Sequence, residues 1–305
     1  MHDLLMLVDE LKFLAESEPA LPDQGQSSLG DRWIVRSALQ KAVRRGQAHR
    51  AMQLGQRLRD LDSDHLWRSL AVIAVEDVGF GDADMVTYTT AAISKTVRKL
   101  VSDDHRLMGA LIRRMCAAPK SRACCELSIA VDLGRSDLIE SMALQSDRDL
   151  VAALQGRNCG AVYVALGLVR GEFRGHRART GIPRPLVEEI VADRIGRTPA
   201  AARAAVHAFR RPVDTMSLAV LPVTRLWLDQ KDIKEHDELG AWPPSAEIGG
   251  FATEAWDVHT RAGGMALRAF YTSLCRRHPW VAAIPAQKAS RALGAAVFVE
   301  EGGMV

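Results

Sequence analysis

Residues 66–82 read LWRSLAVIAVEDVGFGD, framed by SALQKAVRRG at 37–46 and AAPKSRACCELSIAVDL at 117–133. The apolar run Ala71–Val75 has to be buried, so Glu76 and Asp77 stand at the edge of a core. There one of them caps a neighbouring helix or pairs with a buried cation. Adjacent residues on a helix diverge by about 100°, which argues for a scaffold role and against a metal or acid/base pair. In the first box, Arg44 and Arg45 place cations at the negative end of a helix, and Gly46 can take the left-handed cap that follows. In the third, Pro119 suits the first turn of a further helix, with Lys120 beside it.

Helical spacing extends outward from these boxes. Leu4, Leu5, Leu7, Val8, Leu11 and Leu14 predict an amphipathic helix over 3–15, and ESEPALPDQGQSSLGD at 16–31 reads as a linker. Apolar residues recur every three or four positions over 32–45, 47–61, 64–76, 83–101, 104–117 and 120–133, then over 135–145, 147–155 and 159–169. Two more helical patterns share 186–209, with Thr198 as N-cap and Pro199 at the first helical position. Ala192 and Gly196 suit a helix-turn-helix, yet the second helix offers only Arg203 and His207 as long polar groups in its middle, which favours a plain helical hairpin. Beyond Pro212 the texture is irregular or strand-like, and helix returns over 256–298. The expected fold is mainly α, a helical bundle joined to a second, mostly helical and loop-rich half. Its expected parts are 1–30 (helix and linker), 31–133 and 134–305.

Taken in order, the three boxes resemble the C-terminal domain of the RarA/MgsA replication-associated ATPases, a helical relative of the clamp-loader collar. In that family a similar S-A-L-x-K-x-[IV]-R-G box precedes an E-D-[VI]-G box and then an A-P-K-S box. The likeness covers residues 37–133. It implies a helical, self-associating platform from a lineage that works at replication forks, and it carries over no catalytic residue. The family's ATPase domain lies ahead of this module, whereas 36 residues precede Ser37 here. No G-x-x-x-x-G-K-[ST] loop occurs in the chain, so ATP hydrolysis is not expected.

The 305 residues, 48% hydrophobic and 25% charged, describe a globular protein of one or two domains. No run approaches the ~18 apolar residues of a membrane span, and the first ten residues lack the basic start of a secretory signal, so a cytoplasmic location is expected. Five cysteines without C-x-x-C pairing indicate neither a disulfide framework nor a zinc knuckle. The net charge of +3 is uneven: residues 1–30 hold six acids and one lysine. The cations elsewhere are mostly arginine, suited to phosphate, although genomic base composition produces the same bias.

Candidate chemistry lies in the second half. RGEFRGHRARTGIPRP at 170–185 reads as a long basic loop. There Arg170, Arg174, His176, Arg177, Arg179 and Arg184 suit a phosphate backbone, a solvated surface or a subunit contact. TEAWDVHTRAGG at 253–264 gathers Trp256, Asp257, His259, Thr260 and Arg261. As a continuous helix it holds an Asp257–Arg261 surface pair; extended to Thr260, it sets Asp257 and His259 on one face beside a helix N-terminus. His236 among acids in 231–238 is a charged loop without the second histidine cluster of a metal site.

The expected function is a DNA-acting protein of repair or genome-defence type. Its most concrete form is a metal-independent, glycosylase-like enzyme: Asp257 and His259 catalytic, Trp256, Thr260 and Arg261 on the substrate, and Arg174, His176, Arg177 and Arg179 on phosphate. The alternative is a non-enzymatic module that oligomerises, binds DNA or engages replication or repair partners. No cofactor and no metal are expected; DNA is the expected partner, self-association a second expectation, and a membrane is not one.

Overall fold

In the computed structural model the fold is mainly α. It describes residues 2–19, 31–121, 124, 136–195, 199–210, 247–248 and 251–252, with isolated positions at 265, 268, 272, 275, 276, 282 and 283. Twelve α-helices run through these residues: α1 His2–Ser17, α2 Arg32–Arg44, α3 Ala48–Leu61, α4 Ser63–Ile73, α5 Ala83–Ala92, α6 Lys95–Val101, α7 Asp104–Ala117, α8 Ser136–Ala143, α9 Asp147–Gln155, α10 Cys159–Arg170, α11 Arg184–Ile195 and α12 Pro199–Arg210. Between α4 and α5 the chain forms a π-turn, Ala74–Val78, and a 3-10 turn, Gly79–Asp82. The strands among the described residues are the two-residue β1 (Glu247–Ile248) and β2 (Phe251–Ala252), paired antiparallel. No helix among the described residues is long and apolar enough to cross a membrane.

The chain divides into two compact units, residues 1–20 with 67–237, and residues 21–66 with 238–305. In the second, α2 and α3 form a hairpin. Asp31 caps α2 by accepting from the Trp33 amide at 2.7 Å. As its sequence predicts, α2 ends at Arg44, and Gly46 follows at φ +68°. The Gly46 and Gln47 amides donate back to Val43 and Ala42 at 3.0 and 2.9 Å, closing a Schellman cap. Val35, Leu39 and Val43 of α2 and Leu54 and Leu58 of α3 are fully buried. Arg32 ties the hairpin to Asp62 at 2.7 Å.

In the first unit α1 lies on α6 and α7, α12 packs on α5 and α11, and α10 packs on α8 and α9. Leu11, Trp67, Leu70, Ile73, Met85, Leu107, Leu111, Tyr163 and Val187 are all at most 1% exposed. Burying each such side chain stabilises the fold by about 1.5–3 kcal/mol before the cost of ordering the chain.

Several boundaries differ from the periodicity. The helix expected over 83–101 breaks at Ile93–Ser94 into α5 and α6. Arg98, 5% exposed, makes the break tolerable. Its Nη1 donates to Ala92 and Ile93 oxygens at 2.7 and 2.9 Å, satisfying carbonyls that α5 leaves open. Its guanidinium also lies over the Trp67 ring, 4.8 Å from the centroid. The α-helix expected over 64–76 ends at Ile73, because the backbone widens into the π-turn. Pro119 stands in the coil after α7 and not in a helical first turn. The long loop closes two residues early, since Arg184 and Pro185 already belong to α11, where proline is tolerated in the first turn. The expected boundary near 134, the irregular stretch after Pro212, and most of the helical patterns over 120–133 and 256–298 lie outside the described residues.

Ser102 ends α6 at φ +73°, the one non-glycine residue at positive φ among those described. A side chain there costs about 1 kcal/mol relative to glycine. Ser102→Gly is expected to raise stability by about 0.5–1 kcal/mol, read as a higher urea midpoint at unchanged m-value.

Candidate functional site

The second and third sequence boxes meet in space. Asp77 is fully buried in the π-turn, and its carbonyl accepts from the Ser121 amide at 3.1 Å. Gly79 sits at φ +48°, and a β-carbon on Gly81 would come within 2.2 Å of the Pro119 oxygen, so only glycine lets the two backbones approach this closely. Arg114 of α7 clasps Asp82 through two hydrogen bonds, 2.7 and 3.0 Å. The Lys120 ammonium donates to Met115, Cys116 and Ala118 oxygens at 2.9, 3.0 and 2.5 Å, closing the C-terminal end of α7. Burial holds its pKa below the ordinary lysine value, with the charge of Asp77 acting in the opposite sense. Burial likewise pushes the Cys116 thiol up to about 12, which keeps it protonated and inert.

A second polar cluster joins α1, α5, α7 and α12. Arg203 reaches both oxygens of Glu10 at 2.9 and 3.0 Å and Asp84 at 2.7 Å. Arg114 lies 3.7 Å from Asp84. Both guanidiniums flank the Tyr88 ring, at 5.5 and 5.8 Å from its centroid. Burial, and then the charges of Asp84 and Glu10, raise the Tyr88 pKa. Arg203 was one of two long polar groups that α12 could have offered to a DNA groove. Its engagement with two carboxylates supports the helical hairpin that α11 and α12 form.

Residues 171–183 form a compact loop. Gly171, at φ +72°, and Glu172 donate to Leu168 and Gly167 oxygens at 3.2 and 2.9 Å in a second Schellman cap. A β-carbon on Gly171 would lie 2.6 Å from the Ala178 nitrogen, so the loop folds back tightly on its own base. Most of its cations hold it there. Arg170 pairs with Glu172 at 2.6 Å and lies 5.7 Å from the Phe209 ring centroid. His176 faces Glu140 at 3.5 Å, and Arg179 donates to the Ala143 oxygen and faces Asp147 at 3.8 Å. Arg184 donates to the Arg210 oxygen at 2.6 Å and pairs with Glu188 at 3.3 Å. Arg174 and Arg177 differ: both are exposed and neither pairs with any described residue. Between them Gly175, at φ +88°, has open space where a β-carbon would stand.

Of the residues predicted for chemistry, Arg174, His176, Arg177 and Arg179 thus share one loop, two facing solvent and two anchored to the protein. Trp256, Asp257, His259, Thr260 and Arg261, with His236, lie outside the described residues. Among the described residues no group of three or more His, Cys, Asp or Glu side chains converges as metal ligands would. What the periodicity did not reveal is a groove of about 380 Å³ between α9 and residues 181–183. No family model matches the chain, and neither a curated protein nor a solved structure does.

Replacing Lys120 with Met keeps the aliphatic stem but strands three carbonyls, and is expected to cost about 1–3 kcal/mol in urea unfolding. A pH series tests a different contact. Hydrogen bonding from Arg210 holds the Glu188 carboxyl below the ordinary value of 4.5. Its stabilisation is therefore complete above about pH 4.5 and is lost as pH falls from there through the folded-state value, because the unfolded chain takes up the proton first. Glu188→Gln is expected to flatten that part of the stability–pH curve.

Proposed function

We propose that the protein is a DNA-binding helical module of repair or genome-defence type, which holds the phosphate backbone through Arg174 and Arg177. The observation that carries the reading is the contrast around the basic loop: four cationic or ionisable groups anchor it, and the two exposed arginines that pair with no described residue flank a glycine with open space where a β-carbon would stand. Guanidinium groups presented on a rigid loop suit phosphate in two-point contacts. The meeting of the EDVGFGD and APKS segments supports the likeness to the RarA/MgsA C-terminal domain. Residues that form one joint in space are the ones a shared scaffold would retain. A helical platform of that kind fits a module that binds DNA and engages replication or repair partners.

The finer form of the proposal is base excision by Asp257 and His259. Trp256, Thr260 and Arg261 would contact the extruded nucleotide, with the carboxylate stabilising a cationic sugar transition state. No metal and no cofactor enters that reaction, and the scaffold functions of the described helices do not depend on it.

Fluorescence anisotropy with a labelled oligonucleotide across a salt series tests the reading. Each phosphate contact contributes about 0.9 to the slope of log K against log salt for duplex DNA and about 0.7 for a single strand. Arg174→Ala with Arg177→Ala is expected to lower the slope by about 1–2 and to weaken binding about tenfold or more at low salt. An unchanged slope removes these arginines from the contact, and no binding to duplex or single strand removes the reading. Incubation with base-modified DNA followed by alkali tests excision, which Asp257→Ala is expected to abolish.

A further inference from the structure

The groove between α9 and the end of the basic loop is built from two chemically distinct parts. Val151, Ile182 and Pro183 give it apolar walls, while Asp147, Arg148 and Gln155 supply polar groups. A β-carbon on Gly181 would stand 2.0 Å from Asp147 Oδ2, so a larger residue there displaces that carboxylate. At about 380 Å³ it falls at the small end of ligand pockets, which span about 300–1,000 Å³. Arg148 is exposed and pairs with no described residue, whereas the charge of Asp147 is offset by Arg179 at 3.8 Å.

We propose that this groove takes one unstacked nucleobase of a single strand, with Arg148 on the adjoining phosphate. The inference rests on the DNA-binding reading and names its substrate class. The groove suits a flat ring with a polar edge: aliphatic side chains pack against the base face, and the Gln155 amide offers both a donor and an acceptor to the base edge. Arg148 balances the phosphate, and Arg174 and Arg177 belong to the loop that Arg179 pins to Asp147. The Gln155 amide can turn either its oxygen or its nitrogen to a base edge, so binding is tolerant of sequence.

The test compares a fluorescein-labelled oligothymidylate with a strand of equal length made of abasic sugar–phosphate units. Both are measured against the 305-residue protein and against Ala152→Trp, Gln155→Ala and Arg148→Ala. Ala152 is an exposed α9 residue lining the groove, so tryptophan there fills the groove without disturbing the core, and a thermal melt checks each variant. The wild-type protein is expected to prefer the base-bearing strand about tenfold. Ala152→Trp should abolish that preference and leave abasic binding unchanged; Gln155→Ala should reduce it; Arg148→Ala should weaken both strands alike. Equal wild-type affinity for the two strands overturns the groove inference while the DNA-binding reading stands. So does a preference that survives Ala152→Trp, or an equal loss on both strands in that variant. If the wild-type protein binds neither strand nor duplex, the DNA-binding reading fails and the groove inference fails with it.

Discussion

Every α-helix leaves its last carbonyl groups without partners of their own, and the described helices are short, α6 having only seven residues. How the ends are closed therefore decides where each element stops. Two glycines, Gly46 and Gly171, close α2 and α10 through backbone bonds alone. Two cations, Arg98 and Lys120, close α5 and α7 with side chains that reach back onto carbonyl oxygens. Each cation also fixes a tertiary contact, Arg98 over the Trp67 ring and Lys120 beside the Asp77 turn. Termination and packing are thus one event.

The same economy governs the charges. An arginine-rich chain invites a reading in which every cation awaits an anionic partner, yet many of the described arginines are engaged inside the protein. Arg203 serves α1 and α5, Arg114 serves the turn before α5, and Arg184 with Arg210 brackets Glu188. Arg148, Arg174 and Arg177 belong with Arg68 and Arg276 to the exposed arginines that pair with no described residue, and what sets Arg174 and Arg177 apart is their place three positions from each other on one loop. Surface ion pairs of the usual kind contribute little singly. The Arg203 and Arg114 contacts differ in joining four helices around one buried tyrosine.

Most of the helices were legible in the sequence, because amphipathic spacing survives translation into structure and the Arg44–Gly46 and Pro199 signals act locally. The grouping of Arg174, His176, Arg177 and Arg179 on one loop was legible too. What periodicity does not record is pairing at a distance. Nothing in RGEFRGHRARTG distinguishes Arg179, which reaches the end of α8 and the start of α9, from Arg177, which reaches no described residue. The break at Ile93–Ser94 was hidden for the same reason: its stabilising group, Arg98, belongs to the following helix. The π-turn at Ala74–Val78 was hidden because its apolar run reads as uninterrupted helix, and the Ser121 amide that donates to the Asp77 oxygen comes from more than forty positions away. The groove was hidden because it joins residues about thirty positions apart.

The Arg203 cluster also carries information about time. Arg203 lies 193 positions from Glu10 and 119 from Asp84. On a ribosome, α1, α5 and α7 emerge long before the residue that neutralises two of their carboxylates. Until α12 arrives, Glu10 and Asp84 stand without the guanidinium that bridges them. Arrival of α12 then joins both carboxylates to one cation and covers α5. Among the described residues of the unit, the last helix thereby supplies the charge that the first requires.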